Sequence, residues 1–466
     1  MCGVIGIYNL PEAATLAYLG LYAQQHRGQE SAGIVTCADE KFHAHHAMGQ
    51  VADIFNHKIL DGLPGENAIG HVRYSTAGGS HIRNCQPFTV SYTHGSLAVG
   101  HNGNIVNAMK LRSELENSGA IFQSTMDTEV IMHLLAHSKK PSTVARLKEV
   151  LPQLTGAFSL VFLTEQDLIA ARDSDGFRPL VLGKKDGGYV VASETSAFDL
   201  LEAEFVREIA PGEIVIINKN GVQSCFFDAT KKRRHHCIFE YVYFARPDSN
   251  VFGRDVYKIR KGFGHELAKE HAVAADIVVP VPDSGVPAAI GYAQESGIPF
   301  EMALVRNHYV GRTFIEPEQR IRHFGVKVKL NPIREMLEGK SVILIDDSIV
   351  RGTTSQKIVR MVRQAGAREI HVRISSPPIT WPCFYGIDTP SRHELISTSK
   401  SVEEVREFIQ ADTLAFLSSE GLFHFEKQGP KEYFCDACFS GNYEVDAKII
   451  KEHIARESGG FMVGRA

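Results

Sequence analysis

Three places in the sequence put reactive side chains where chemistry is readily built. The first is Cys2, directly after Met1 and before the small Gly3. Aminopeptidases trim such a start easily, which would leave a thiol and a free α-amine on one residue. With a pKa of about 7.8, against about 10.4 for lysine, that amine is largely able to accept the thiol proton near neutral pH. By position alone Cys2 is equally compatible with a small buried residue opening an edge strand at Val4 to Ile7. The second place is Asp346-Asp347-Ser348-Ile349-Val350-Arg351-Gly352-Thr353-Thr354, paired acids before a run of small and hydroxylated residues. Such a run turns backbone N–H groups toward an anion, and paired acids at the end of a buried strand need ribose hydroxyls or a divalent metal as partners. The third is Cys435-Asp436-Ala437-Cys438, with Cys237 and Cys383 elsewhere in the chain. A CxxC of this kind is redox-active, incidental or one half of a zinc or iron-sulfur site.

These residues need elements to hold them. From Met1 to about Asn220, short apolar runs such as Val4 to Ile7, Leu97 to Val99, Leu160 to Phe162 and Glu213 to Ile217 alternate with Gly-rich turns and a few amphipathic helices. That pattern predicts layered sheets flanked by helices. Lys231, Lys232, Arg233, Arg234, His235 and His236 mark an abrupt change of composition, read as a solvated linker. The domain boundary is placed there, giving units 1–230 and 231–466. Beyond it, Ile277 to Val281 and Ser341 to Ile345 are β-branched strands that each run into a turn and a helical pattern, as in a doubly wound parallel sheet. The helix after the paired acids carries Ile358, Val362 and Ala365 on one face. Ser391 to Gln428 has helical spacing without chemistry and reads as scaffold.

Composition narrows the partners. A chain of 466 residues, 44% hydrophobic and 22% charged, supports two or three globular units. A net charge of −4 gives no basic field, which argues against nucleic acid, and no apolar run is long enough for a membrane span. With no basic leader the expected place is the cytoplasm, where eight sparse cysteines point to metal binding or catalysis rather than disulfides.

Behind Cys2 come His26-Arg27-Gly28-Gln29-Glu30-Ser31-Ala32-Gly33, Gly70-His71-Val72-Arg73-Tyr74-Ser75-Thr76, Gly100-His101-Asn102-Gly103-Asn104 and Asp127-Thr128-Glu129. In this order they resemble the class II glutamine amidotransferases, whose N-terminal-nucleophile domain is an αββα sandwich. The resemblance implies that Arg73 binds the glutamine α-carboxylate, that Asp127 binds its α-ammonium, and that Asn102 and the Gly103 backbone N–H stabilise the oxyanion formed when Cys2 attacks. The Asp346-Asp347 motif likewise resembles the phosphoribosyltransferase fingerprint. There the acids hold the ribose hydroxyls, and Ser348, Arg351, Gly352, Thr353 and Thr354 belong to the 5-phosphate loop. Asp283, Ser284 and Gly285 would form the diphosphate loop, and Ser284, Asp346 and Asp347 would surround one Mg²⁺ per subunit.

Between those loops, a cation-rich stretch from Val305 through Arg312, Arg320, Arg322, His323 and Lys327 to Lys329 is expected to be the most mobile internal segment and to close over the diphosphate. Together the halves resemble the glutamine phosphoribosylpyrophosphate amidotransferase family, an α/β and α+β enzyme class that starts purine synthesis. The context Pro382-Cys383-Phe384-Tyr385-Gly386 matches its iron-sulfur branch, implying a [4Fe-4S] cluster on Cys237, Cys383, Cys435 and Cys438. The implied partners are glutamine, phosphoribosyl pyrophosphate and inhibitory purine nucleotides, in a homo-oligomer, tetramer or dimer. One departure is that relatives with the cluster often carry a propeptide, whereas here only Met1 precedes Cys2.

Overall fold

The computed structural model describes residues 1–451 apart from 75–78, 229–233, 308–328, 390 and 426–430. The cation-rich stretch expected to close over the diphosphate, Arg312 included, therefore lies largely outside the described residues.

Alternating apolar side chains build two antiparallel sheets in the N-terminal half. The first orders its strands as Glu204–Glu208, Val181–Lys185, Gly188–Ala192, Gly3–Tyr8, Asn67–Arg73, Ser31–Ala38 and Lys41–Met48. The second runs Gly221–Phe226, Glu213–Asn218, Leu168–Arg172, Gly156–Leu163, Gly95–Ile105 and Phe88–Tyr92. Strand Gly3–Tyr8 sits in the middle of its sheet, between Gly188–Ala192 and Asn67–Arg73, so Cys2 opens a central strand and not an edge. Because side chains alternate across a strand, Val4, Ile69 and Val191 meet Ala98, Val161 and Val215 of the other sheet in a shared core. Ile5, Ile7 and Ile34 point the other way, against helix Ala13–Ala23. Helices Ala108–Asn117, Thr128–His137 and Thr143–Val150 cover the outer face of the second sheet. Helices, two sheets and helices make the expected four-layer sandwich.

The C-terminal half holds a parallel sheet ordered Ile277–Pro280, Ser341–Asp346, Glu369–Ile374 and Thr413–Phe416. Its strands are apolar on both faces, as helices on both sides require. Val278, Ile343 and Ile345 pack with helices Val256–Glu270 and Val286–Ser296, while Val279, Val342 and Leu344 pack with Thr353–Gln364 and Val402–Ile409. Ile358 and Val362 are buried on the inner face of their helix, with Ala365 just past its end.

One further reading of the sequence needs correction. His235 and His236 are buried, not part of a solvated linker; His235 pairs with Asp175 and Glu444, and His236–Cys237 forms a short parallel strand pair with Phe434–Cys435. Within Ser391 to Gln428, Glu394 pairs with Arg351.

Candidate functional site

Cys2 is buried at the lip of its strand. Its N–H donates to Asn102 Oδ1 at 3.2 Å, its carbonyl accepts from Arg27 Nε at 3.0 Å, and its thiol lies 3.6 Å from the Tyr74 carbonyl. Asn102 is fully buried, and its Nδ2 has no acceptor among the described residues. A buried amide donor left unpaired costs stability, so its presence beside a thiol marks a place for an incoming oxygen. Met1 is buried too, with its sulfur against Arg178, and burial lowers its α-amine pKa to about 5.

Arg73 and Asp127 come to the same end of the sandwich. Arg73 is nearly inaccessible and donates to Glu30 at 2.7 Å and to the Gly79 carbonyl at 3.3 Å. Asp127 accepts from Ile105 N at 2.9 Å and faces His101 at 3.5 Å. Burial opposes charge on both partners, yet their mutual attraction prevails: Asp127 is held below the usual carboxyl range and His101 above the usual imidazole value. An ionised carboxylate at Asp127 suits an ammonium ligand. Beneath them His71 is kept neutral, its pKa lowered to about 3 by burial, with Nε2 against the His101 carbonyl at 3.0 Å.

The charges that fix Cys2 from behind were invisible in sequence. Arg27 joins Glu194 and, at 2.9 and 3.0 Å, Glu240; Arg178 reaches Glu240 at 3.4 Å, and all four side chains are completely buried. His26 and the Arg246 backbone add bonds to Glu194 at 2.8 and 2.9 Å. Arg27 lies in the His26 to Gly33 motif, but its acidic partners are 167 and 213 residues distant in sequence, with no spacing signal to reveal them.

At the C-terminal ends of the parallel strands, two loops meet. Val281 N bonds the Ile345 carbonyl at 2.8 Å, and a Cβ on Gly285 would lie 2.5 Å from that same oxygen, so only glycine lets the loops approach. Ser284 thereby hydrogen-bonds Asp347, whose other neighbour Ser348 donates at 2.5 Å. Burial pushes both Asp346 and Asp347 up, and for Asp346 the neighbouring carboxylate adds to it. Two confined carboxyls and a hydroxyl are the hard oxygen donors that Mg²⁺ takes. Thr353 and Thr354 open helix Thr353–Gln364 with Gly352 as its N-cap. Arg351 is exposed and bound to Glu394, and Asp283 is exposed and paired with Arg306. A wide cleft runs from Asp283 and Ser284 past Arg260 and Tyr243 to His26 and Gln25 of the N-terminal half.

Cys237, Cys383, Cys435 and Cys438 line one small, largely enclosed pocket with Phe177 and Tyr385. Burial pushes the Cys237 thiol up to about 11 and those of Cys435 and Cys438 well above the ordinary value. Four soft donors around a dry pocket fit a thiolate-held centre. Among the described residues, no three or more His, Cys, Asp or Glu are gathered into a group that could hold a single ion.

A sequence model of the glutamine amidotransferase domain matches residues 71–200, and one of the phosphoribosyl transferase domain matches 264–375. Amidophosphoribosyltransferase of Bacillus subtilis is 50% identical over 462 residues, spanning 97% of this chain and 96% of that one. Amidophosphoribosyltransferase 1, chloroplastic, of Arabidopsis thaliana is 54% identical over 464 residues, 99% of this chain and 81% of its own length. Among solved structures, the glutamine phosphoribosylpyrophosphate amidotransferase from B. subtilis complexed with ADP and GMP superposes with a TM-score of 0.90 at 49% identity, covering 96% and 98% of the two chains.

Proposed function

The chain belongs to the amidophosphoribosyltransferase family and makes 5-phosphoribosylamine, glutamate and diphosphate from glutamine, phosphoribosyl pyrophosphate and water, the first step of purine synthesis; from that premise we propose how its own residues divide the work. Removal of Met1 converts the Cys2 amide into an α-amine. That amine takes the thiol proton, and the sulfur attacks the glutamine side-chain amide carbon. Arg73 and Asp127 hold the two charged ends of glutamine, while the oxyanion falls to Asn102 Nδ2 and the Gly103 N–H. Collapse of the tetrahedral adduct expels ammonia, and water then releases glutamate from the thioester. The observation that carries this reading is Asn102, which spends its oxygen on Cys2 and leaves its buried amide donor unpaired.

In the second half, Asp346 and Asp347 hold the ribose hydroxyls, Ser348 to Thr354 the 5-phosphate, and Asp283 to Gly285 the diphosphate, with Arg312 as a further ligand of phosphoribosyl pyrophosphate. Ser284, Asp346 and Asp347 would hold Mg²⁺, which spreads the charge of the leaving diphosphate when bound. Ammonia from Cys2 displaces that diphosphate. The four cysteines would hold a [4Fe-4S] cluster, tying the strand pair His236–Cys237 and Phe434–Cys435 to the turn at Cys383. Four cysteines lining one pocket support a thiolate-held centre, and visible absorption of the purified protein separates a cluster from zinc, which is colourless.

ADP and GMP on the B. subtilis structure support purine nucleotides as feedback ligands. Exposed Phe205, Val206 and Phe226 on strands at the edges of the two sheets support a homo-oligomer, dimer or tetramer. A cytoplasmic setting accords with a chain in which no helix among the described residues is long and apolar enough to cross a membrane. The deciding experiment compares Cys2→Ser with wild type on glutamine and on ammonium salt at high pH. The glutamine-dependent rate should vanish and the ammonia-dependent rate survive; survival of both would remove Cys2 as the nucleophile.

A further inference from the structure

Gly386 stands three residues after Cys383 and touches the glutaminase site. Its φ is +103°, and a Cβ built there would lie 2.9 to 3.0 Å from the carbonyl carbon, Cα and oxygen of Gly103. On the opposite side, a Cβ on Gly103 would lie 2.0 Å from the Ala157 carbonyl. The Gly103 peptide is therefore sandwiched between strand Gly156–Leu163 and the Gly386 turn, with no slack for a single methyl group on either side.

The turn itself is fixed from two directions. Asn104 Nδ2, on the strand of Asn102 and Gly103, donates to the Phe384 carbonyl at 2.9 Å. On the cysteine side, Tyr385 N donates to Cys383 Sγ at 3.3 Å, and Arg178 donates twice to the Tyr385 carbonyl, at 2.9 and 2.6 Å. The Tyr385 ring stacks on Phe177 with centroids 4.3 Å apart.

We propose that Gly386 is a positioning residue for glutamine hydrolysis, and that the Cys383–Gly386 turn of the cysteine centre is the back wall of the oxyanion hole. This rests on the assignment of Asn102 and Gly103 as the oxyanion donors. Such donors act only when held at about 2.7–3.1 Å from the developing oxygen, so a wall that keeps Gly103 from receding contributes to the rate without touching glutamine.

The test uses the full chain carrying Gly386→Ala, and separately Asn104→Ala, which loosens the turn without adding bulk. Four quantities are measured: kcat and KM for glutamine, the ammonia-dependent rate, Cys2 alkylation by iodoacetamide, and inhibition by glutamate γ-semialdehyde. The aldehyde forms a hemithioacetal with Cys2 and places its oxygen in the hole, whereas alkylation places none there. In Gly386→Ala, kcat for glutamine should fall at least ~10-fold and aldehyde inhibition should weaken in parallel. KM, alkylation and the ammonia-dependent rate should stay within about twofold, as expected for an interaction made only in the transition state. Asn104→Ala should move the same quantities in the same direction by less.

Unchanged kcat and aldehyde inhibition in both variants, or a change in KM alone, overturns the proposal. If Gly386→Ala also loses the ammonia-dependent rate and so fails to fold, Asn104→Ala decides alone. Full glutamine activity in Asn102→Ala would instead sink the oxyanion assignment beneath it; an impaired Asn102→Ala beside intact turn variants sinks only the back wall.

Discussion

Asn102→Ala isolates the group on which the glutaminase reading turns. The side chain is completely buried, accepts from Cys2 N at 3.2 Å through its oxygen, and keeps a donor with no acceptor among the described residues. Loss of one preorganised donor to an oxyanion costs about 3 kcal/mol of barrier. Loss of the neutral bond to Cys2 adds about 1 kcal/mol. The sum, about 4 kcal/mol, corresponds to a fall of roughly 10³ in glutamine kcat. Because the donor acts on charge that develops during reaction, KM should hardly move. Iodoacetamide alkylation of Cys2 builds no oxyanion and should slow only by the smaller contribution, about fivefold. Steady-state glutaminase assays beside the ammonia-dependent rate, which reports the second half of the molecule, give the measurement. A fall in kcat of less than about tenfold, or alkylation slowed as much as turnover, would refute the reasoning, since Asn102 would then place Cys2 without stabilising the oxyanion.

Glu240→Ala strands Arg178 and half of Arg27 in a completely buried setting, and should cost about 3 kcal/mol, read as a lower urea midpoint together with slower glutamine turnover because Arg27 holds the Cys2 carbonyl. The Asp127–His101 pair predicts a pH window. With Asp127 lowered and His101 raised, its stabilisation is complete between the ordinary carboxyl and imidazole values, roughly pH 4 to 6.5. It fades as pH falls through the lowered carboxyl value and as pH rises through the raised imidazole value. Asp127→Asn should erase the window and lower the His101 pKa, since its largest opposing charge is then gone and burial weighs more heavily, as an NMR titration of the ring would show. Oxidative loss of the cysteine centre should abolish glutamine-dependent synthesis before ammonia-dependent synthesis, followed by parallel assays and iron content during exposure to air; simultaneous loss would mean general unfolding.

Local signals in the chain were enough to place the strands that present the chemistry. Val4 to Ile7 lies within Gly3–Tyr8, Glu213 to Ile217 within Glu213–Asn218, and Ser341 to Ile345 within Ser341–Asp346, because each is a short apolar run bounded by turn residues. The site motifs were legible for the same reason: Asp346, Asp347 and the residues after them are contiguous, so one loop carries them. What escaped were partnerships across the fold. Glu240 reads as an unremarkable acid in an aromatic run until the structure sets it between Arg27 and Arg178. His235 and His236 looked solvated because composition cannot register that Asp175, Glu444 and Phe434 arrive from elsewhere to cover the two rings. Glu394 escaped likewise, since its partner Arg351 belongs to another loop.

The bond from Asn104 to the Phe384 carbonyl spans 280 residues of chain. On a ribosome adding roughly 5 to 20 residues per second, the strand that carries Asn102 and Asn104 waits about 15 to 55 seconds before that carbonyl exists. A nascent chain in that interval has a thiol but not the finished cradle around it.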